Sequence, residues 1–246
     1  MSDYLISARK YRPKSFNEVV GQEVITSTLE NAVKNKQLSQ ALLFTGPRGV
    51  GKTSCARILA KMINADKITS ESDYSFNIFE LDAASNNGVD GIRNLTDQIR
   101  IPPQIGNYKV YIIDEVHMLS SSAFNAFLKT LEEPPRHCVF ILATTEKHKI
   151  IPTILSRCQI YDFKRISVDD ISSYLINISK HEKVKYEENA IQFIAKKADG
   201  SMRDALQIYD RILSSKNNEV SIANVMESLN ILDNQVYFDL LHLIIN

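Results

Sequence analysis

The stretch FTGPRGVGKTS, residues 44–54, decides the fold of this chain. It contains a glycine, four further residues and then Gly-Lys-Thr, which is the spacing of a phosphate-binding P-loop. Three of the eight glycines in the chain fall here within six residues, at Gly46, Gly49 and Gly51. Such glycines let backbone N–H groups wrap around phosphate oxygens at a helix N-terminus, so the stretch predicts a nucleotide site.

Two side chains at the end of this loop have the chemistry of phosphate and metal binding. We expect Lys52 to reach the β and γ phosphates and the Thr53 hydroxyl to bind Mg²⁺. A glycine-rich turn that matches by accident is the alternative, but a strand pattern precedes the loop and a helix pattern follows it. The loop residues assigned to nucleotide binding are Gly46, Pro47, Arg48, Gly49, Val50, Gly51, Lys52, Thr53 and Ser54.

Short apolar runs alternate with helical patterns through about residue 163. The runs lie at 41–45, 78–82, 110–114, 138–144 and 160–163, and the helical patterns lie near 52–63, 89–100 and 120–132. The runs show little alternation between apolar and polar residues, which is typical of strands buried on both faces. Strands that alternate with helices predict an α/β fold with a parallel sheet between two helical layers.

After residue 166 the pattern is helical only. Ser167 with Asp170 and Ser201 with Asp204 have the spacing of capping boxes at helix starts. The last segment is an apolar helix start without a terminator, which suggests a fragment of a longer protein. We therefore expect an α/β P-loop ATPase domain at 1–166, a small all-helical domain at 167–230 and the truncated start of a further helical region at 231–246.

The run VYIIDEVHML, residues 110–119, ends its apolar part in two carboxylates. Ligands of parallel sheets bind at the carboxyl ends of the strands, where Asp114 and Glu115 would lie. Asp114 suits the binding of Mg²⁺, directly or through water, and Glu115 suits the orientation or activation of the attacking water. A solvated strand end is the alternative, which the P-loop upstream makes weak. We interpret His117 as a packing or hydrogen-bonding residue.

Two further polar residues are candidates for a phosphate contact. Thr144 closes an otherwise apolar strand pattern and could bind the γ-phosphate or the attacking water, or could simply end the strand. Arg203 lies in the first turn of a predicted helix, where the helix dipole disfavours a cation. It is better explained if it points at an anion, with an exposed salt bridge as the alternative.

The stretch TILSRCQIYDF, residues 153–163, raises the question of what Arg157 does. It lies where an apolar segment is expected to be buried, and no acidic partner is near it in sequence. A buried charge is costly unless it is paired. We therefore expect Arg157 to be held for an anion outside its own fold.

Composition excludes several classes of protein. Lys and Arg total 29, and Asp and Glu total 29, so the net charge is zero. This argues against a strongly basic surface for nucleic-acid binding. Cys55, Cys138 and Cys158 are far apart, and no CxxC pair exists, so zinc spacing is absent. No signal peptide or membrane span is visible, and we expect a cytoplasmic protein with no membrane partner.

Six ordered stretches together resemble the AAA+ clamp-loader family of ATPases. They are ARKYRPKSFNEVVGQ, GPRGVGKTS, LDAASNNGVD, YIIDEVHMLSSSAFNAFLKTLEEPP, LATTEKHKIIPTILSRC and GSMRDAL, and they span almost the whole chain. The resemblance implies a subunit of a hetero-pentamer that uses ATP to open a sliding clamp and load it onto primed DNA. It also implies that the helical domain is a lid and that the final segment begins a collar.

The resemblance implies roles for single residues as well. Thr144 would sense the γ-phosphate, Arg203 would contact phosphate from the lid of its own subunit, and Arg157 would be the arginine finger in a neighbour's ATP site. The adenine and ribose would lie against Tyr11, Arg12, Pro13, Val19 and Val20.

The sequence departs from the family in two places. Bacterial relatives commonly insert a four-cysteine zinc module after the P-loop helix, but residues 56–137 contain no cysteine, so we expect no metal besides Mg²⁺. Relatives also often carry basic residues after DAAS on the surface that faces DNA. Here Asn86 and Asn87 take that place, which leaves DNA contact to them, to backbone amides and to Lys129.

Three other functions compete with a clamp-loader motor. A helicase loader or branch-migration ATPase would share the P-loop and Asp-Glu pair, but LKTLEEPP followed by ILSRC favours a clamp loader. A non-hydrolysing structural subunit would be expected to have a degraded P-loop. A nucleotide kinase would need its own acceptor site and lid arginines, and would leave Arg157 without a role.

Overall fold

A computed structural model of the chain describes residues 7–68, 70, 72–85, 88–215 and 219–230. The chain divides into two compact units. One is formed by residues 13–164, and the other combines residues 165–230 with residues 7–12. The expected segment 231–246 lies outside the described residues.

The unit of residues 13–164 is the α/β unit that the sequence predicted. Its strands are β1 (Ala41–Thr45), β2 (Ile78–Asp82), β3 (Lys109–Asp114), β4 (Cys138–Thr144) and β5 (Gln159–Asp162). Its helices are α2 (Glu23–Lys34), α3 (Lys52–Met62), α4 (Val89–Ile99), α5 (Ser121–Glu132) and α6 (Pro152–Leu155). Four short 3₁₀ helices lie at Phe16–Glu18, Asp73–Phe76, Val116–Met118 and Lys147–Lys149.

The five strands form one sheet in the order β2-β3-β4-β1-β5, with every neighbouring pair parallel. Successive residues of β3 face opposite sides of this sheet. Tyr111 and Ile113 join a core with residues of α4 and α5, whereas Val110 and Ile112 join a second core with residues of α2 and α3. Helices thus cover both faces, which confirms the expected α/β fold with a parallel sheet.

The expectation that all five strands are buried on both faces holds only for the centre of the sheet. Every residue of β1 and β4 is buried, and so are the first five residues of β3. In contrast, β2 has no buried residue, and β5 has one, Tyr161. The reason is position, because β2 and β5 are the edge strands and water reaches their side chains past the last neighbouring strand.

The sheet order brings three strand ends together. β1 lies between β4 and β5, and β3 pairs with the other side of β4. Thr45 at the end of β1 is in register with Thr144 at the end of β4. Because all strands run in the same direction, the P-loop after β1, Asp114 at the end of β3 and Thr144 lie at one edge of the sheet.

The second unit is helical, with α7 (Val168–His181), α8 (Glu188–Lys197), α9 (Met202–Ser215) and α10 (Ile222–Ser228). The Oγ of Ser167 accepts the N–H of Asp170 at 3.1 Å, and the Oγ of Ser201 accepts the N–H of Asp204 at 3.2 Å, as N-caps do. After α8 the chain turns through Asp199 at φ +48° and Gly200 at φ +78° before α9 begins. The unit also holds a pair of two-residue parallel strands, β6 (Lys185–Tyr186) and β7 (Glu219–Val220), which the sequence did not reveal.

The N-terminal boundary differs from the expected domain of residues 1–166. Residues 7–12, which include helix α1 (Ser7–Lys10), belong to the helical unit. The backbone N–H of Ser7 donates to Asp210 Oδ2 at 2.7 Å, and Lys10 and Tyr11 both donate to Glu182. These contacts join residues some 170 to 200 positions apart in sequence, which local patterns do not predict. The boundary on the other side falls after residue 164.

None of the helices in the described residues is both long enough and apolar enough to cross a membrane.

Candidate nucleotide-binding site

The P-loop connects β1 to α3, as the sequence predicted. Gly46 adopts φ +136°, a backbone conformation that other residues rarely take. A Cβ atom on Gly46 would lie 2.3 Å from the carbonyl oxygen of Phe163, which follows β5. Only glycine therefore fits at this position, and the loop lies close against the sheet.

Lys52 begins helix α3 and is 6% exposed. Its Nζ donates to the carbonyl oxygens of Gly46 and Pro47, at 2.7 Å each. The ammonium group thus lies inside its own loop, close to the backbone N–H groups that a phosphate would use. A bound phosphate oxygen could replace these carbonyl oxygens as its partner.

Thr53 and Asp114 meet although 61 residues separate them. The hydroxyl of Thr53 donates to Asp114 Oδ2 at 2.8 Å, and Asp114 Oδ1 accepts the N–H of Glu115 at 3.0 Å. A hydroxyl and a carboxylate are the hard oxygen ligands that Mg²⁺ prefers. The residues present therefore fit a magnesium ion beside the P-loop.

Glu115 follows the end of β3 with φ +48°, the left-handed region that non-glycine residues rarely occupy. Its Oε2 accepts both the N–H of Thr145 at 3.1 Å and the hydroxyl of Thr145 at 2.9 Å. A backbone outlier held by surrounding contacts is often part of a functional site, because the strain must be maintained for a reason. Here it turns the Glu115 carboxylate towards the end of β4.

Thr144 is fully buried, and its hydroxyl lies in a network with two residues that the sequence did not assign to the site. The Oγ1 of Thr144 is 2.9 Å from Nδ1 of His117 and accepts the N–H of Glu146 at 3.0 Å. The Nε2 of His117 lies 3.2 Å from Glu146 Oε1. His117 therefore makes hydrogen bonds, as the sequence analysis interpreted it, and its partners are site residues.

Thr145 and Glu146 are the residues that sequence reasoning missed. The polar run TTE directly after an apolar strand was the available signal, because successive residues at a strand end can reach neighbouring strand ends. Lys149 donates to Glu146 Oε2 at 2.8 Å. This hydrogen bond is the main cause that lowers the pKa of Glu146, and the charge of Lys149 lowers it further.

Of the residues predicted to contact the base and ribose, Val19 is the one that the structure places against the loop. Val19 is buried, and its Cγ1 lies 3.8 Å from the position of a Cβ on Gly51. Pro13 and Val20 are half-buried in the same unit. Their contact with a nucleotide stays a prediction.

Tyr11 and Arg12 belong to the helical unit and are half-buried there. The hydroxyl of Tyr11 donates to Glu182. Burial is the largest cause that raises the pKa of Tyr11, and the Glu182 carboxylate is the second. The predicted role of both residues in base binding stays a prediction. Arg203 lies in the first turn of α9, half-buried, and makes no hydrogen bond or ion pair within the described part of the chain.

The expectation that Arg157 is an unpaired charge in a buried apolar segment was wrong. It lies in the turn between α6 and β5, with 34% of its side chain exposed. Its Nη2 donates to Glu132 Oε1 at 2.8 Å, and its Nη1 donates to the carbonyl oxygen of Thr153 at 2.7 Å. Sequence proximity gave no hint of this partner, because Glu132 lies 25 residues away at the end of α5.

Of the candidate DNA contacts, Lys129 is exposed on α5. Asn86 and Asn87 lie outside the described residues. DNA contact therefore stays a prediction for all three.

Two protein families match consecutive parts of the chain. The family described as "DNA polymerase III, delta subunit" matches residues 21–167, and the "DNA polymerase III clamp loader subunit, ATPase lid domain" matches residues 170–215.

The individual proteins that the chain resembles are also subunits of DNA polymerase III. The DNA polymerase III subunit tau of Bacillus subtilis is 48% identical over 231 residues, which are 89% of this chain and 41% of that protein. The subunit gamma of Buchnera aphidicola subsp. Schizaphis graminum is 41% identical over 242 residues, 93% of this chain and 67% of that protein. The chain spans about two fifths of the length of the tau subunits that it matches.

Among solved structures, the Holliday junction branch migration motor RuvB of Thermotoga maritima has a TM-score of 0.69 at 22% identity. The match covers 90% of this chain and 73% of RuvB, and at this identity it shows a shared fold. Sequence matches at 41% to 48% identity define the relationship more closely. The chain belongs to the clamp-loader subunit family of DNA polymerase III.

Proposed function

We propose that this chain is the ATP-hydrolysing motor of a clamp-loader subunit, working in the cytoplasm. In this proposal it assembles with other subunits into a hetero-pentamer, opens a sliding clamp and loads the clamp onto primed DNA. One observation carries the proposal: Lys52, Thr53, Asp114, Glu115 and Thr144 converge at one edge of the sheet, with the P-loop intact. The family to which the chain belongs supports it.

ATP binding is explained by the loop and the helix that follows. The backbone N–H groups of residues 46–54 and the Nζ of Lys52 bind the phosphates, and the positive end of the α3 dipole adds to the attraction. Thr53 and Asp114 would hold Mg²⁺, which neutralises charge on the phosphate oxygens. Val19, Val20 and Pro13, with Tyr11 and Arg12, would contact the base and ribose.

Hydrolysis needs a group that orients the attacking water or accepts its proton. Glu115 is the candidate, because it directly follows Asp114 and its carboxylate is held by hydrogen bonds from Thr145 that leave Oε1 available within the described residues. The buried hydroxyl of Thr144 would sense the γ-phosphate. Arg203 would bind phosphate in its own subunit, and Arg157 would reach the ATP site of a neighbour.

A non-hydrolysing structural subunit is the second candidate function, because the family profile that covers the α/β unit is described as a delta subunit. The intact loop and its contacts argue against it. Lys52 lies within its loop, and Thr53 already bonds to Asp114, so the features that bind MgATP are present. ATP binding without turnover in the assembled complex would favour this second candidate.

The ATPase rate of the full-length protein in its assembled complex tests the proposal. We expect measurable turnover that rises when both the sliding clamp and primed DNA are present. The matched comparison is the same complex with the clamp alone and with primed DNA alone. Turnover that neither partner changes would contradict the role in clamp loading, and its absence would contradict the ATPase.

We also propose that the protein uses no structural zinc. Residues 56–137 contain no cysteine, and Cys55, Cys138 and Cys158 do not have the spacing of a zinc site. Elemental analysis of protein purified without chelators should find no stoichiometric zinc, and one zinc per chain would contradict this.

A further inference from the structure

His117 lies at the point where the polar groups of two strand ends meet. It is in the 3₁₀ turn after β3, its side chain is 6% exposed, and both of its ring nitrogens face polar partners. Nδ1 is 2.9 Å from Thr144 Oγ1 and 3.4 Å from Glu115 Oε2. Nε2 is 3.2 Å from Glu146 Oε1.

The partners of His117 determine where its proton lies. Glu146 is held ionised by Lys149, so its carboxylate can only accept hydrogen bonds. The Nε2 atom that faces it must therefore carry hydrogen. In the neutral imidazole Nδ1 is then an acceptor, and the hydroxyl of Thr144 donates to it.

In this arrangement Thr144 has no second hydrogen to donate. Its Oγ1 accepts the N–H of Glu146, and its single O–H points at Nδ1 of His117. A γ-phosphate oxygen that takes this O–H would leave Nδ1 without a donor. That change would occur 3.4 Å from Oε2 of Glu115.

From these contacts we propose that His117 is a positioning residue that orients the Thr144 hydroxyl and links its state to the Glu115 carboxylate. The inference rests on the proposed ATPase function. His117 itself touches neither ATP nor water in this scheme. Its effect on hydrolysis passes through Thr144 and Glu115, whereas a purely structural histidine would act through folding alone.

Two variants separate the two sides of the imidazole. In His117→Asn, the side-chain amide oxygen takes the place of Nδ1 and can still accept from Thr144, while the bond to Glu146 is lost. In His117→Gln, the amide nitrogen reaches the place of Nε2 and can still donate to Glu146, while the acceptor for Thr144 is lost. Each variant thus keeps one partner, so they serve as controls for each other.

The measurement is steady-state ATP hydrolysis by the full-length protein in its assembled complex. We expect kcat to fall about 10-fold in His117→Gln and less than about 3-fold in His117→Asn, the size of one or two net hydrogen bonds. The affinity for ATP, measured by titration, should stay unchanged in both. The effect of His117→Gln should also disappear in a Thr144→Val background, because the link is then already absent.

A second measurement does not depend on turnover. The chain has five histidines, and the ring nitrogens of His117 can be assigned in ¹⁵N spectra of the full-length protein by their loss in His117→Asn. We expect hydrogen on Nε2 and none on Nδ1 in the nucleotide-free protein. Hydrogen on Nδ1, with or without hydrogen on Nε2, would overturn the proposed orientation of Thr144.

The outcomes distinguish this inference from the function on which it rests. If wild-type protein turns over ATP but the two variants lose activity equally, or lose none, His117 is structural and only this inference is wrong. Equal losses accompanied by the same fall in unfolding temperature would lead to the same conclusion. A wild-type complex without turnover would overturn the proposed function together with the inference.

Discussion

At the carboxyl edge of the sheet the candidate site residues form hydrogen bonds with one another, whereas neither candidate arginine bonds to them within the described residues. Thr53 bonds to Asp114 at 2.8 Å and Glu115 to Thr145 at 2.9 Å. Arg157, by contrast, is paired at the surface with Glu132, and Arg203 has no polar partner within the described residues.

The difference separates site residues that one chain holds in place by itself from an arginine that is proposed to act on a neighbouring subunit. Hydrogen bonds within the α/β unit hold the carboxylates and hydroxyls of the site before any ligand arrives. An exposed arginine ion pair contributes little to stability, so a charge on the surface is free to exchange its partner. ATP binding should therefore depend on the first region, and assembly-dependent hydrolysis on Arg157.

The largest effect is expected for Arg157→Ala, which tests the second region directly. If this residue acts as a finger between subunits, hydrolysis by the assembled complex should fall by up to roughly 10³–10⁵-fold. ATP affinity and the unfolding temperature should change little, since an exposed ion pair is worth about 0–1 kcal/mol. Turnover, ATP titration and thermal unfolding of the same preparations measure the three quantities.

Glu132→Gln is the matched control, because it breaks the same ion pair and keeps the guanidinium. It should hydrolyse ATP like the wild type. Mixing Arg157→Ala protein with Glu115→Gln protein gives a second check, since some interfaces then combine an intact Glu115 site with an intact Arg157. No recovery in mixed complexes, together with a lower unfolding temperature of Arg157→Ala, would show that Arg157 is structural.

In the first region, Glu115→Gln should impair the chemical step of ATP hydrolysis. The substitution keeps the shape and removes the charge that orients or deprotonates water, so turnover should fall about 10²–10⁴-fold while ATP still binds. Glu133→Gln, at an exposed position after α5, is the control and should be neutral. Wild-type turnover in Glu115→Gln would mean that the catalytic carboxylate lies elsewhere.

In the first region, Lys52→Ala should weaken the binding of ATP. The variant removes the cation inside the P-loop, and losing one charged hydrogen bond of about 1.5–3 kcal/mol weakens binding roughly 10- to 150-fold. Isothermal titration with ATP measures the change. Lys34→Ala, at the exposed end of α2, should bind ATP normally, and an unchanged affinity in Lys52→Ala would contradict the assignment.

The smallest effect concerns the helical unit alone. Ser167→Ala removes the cap that accepts the N–H of Asp170 and should lower the stability of that unit by about 1 kcal/mol. Chemical unfolding measures the loss, with Ser173→Ala on the exposed face of the same helix as the control. ATP affinity should be unchanged, because Ser167 is not among the residues proposed to bind ATP, and a loss as large as that of Lys52→Ala would contradict this assignment.

Local patterns predicted most of the secondary structure, because the interactions behind them span few residues. The helix predicted near 52–63 forms at Lys52–Met62, and the strand predicted at 110–114 forms at Lys109–Asp114. The cap at Ser167 needs contact with a residue only three positions away. Edge and central strands were not distinguished, because burial depends on neighbours from distant parts of the chain.

The sequence by itself determined the P-loop and the parallel α/β fold, and it identified the Asp114–Glu115 pair, since each follows from residue types at short spacing. Tertiary structure alone decided which distant groups meet. It pairs Arg157 with Glu132, packs residues 7–12 with the helical unit and places His117 between Thr144 and Glu146. The physical reason is that a hydrogen bond depends on distances of about 3 Å in space, and only the completed fold brings residues that are far apart in sequence to that distance.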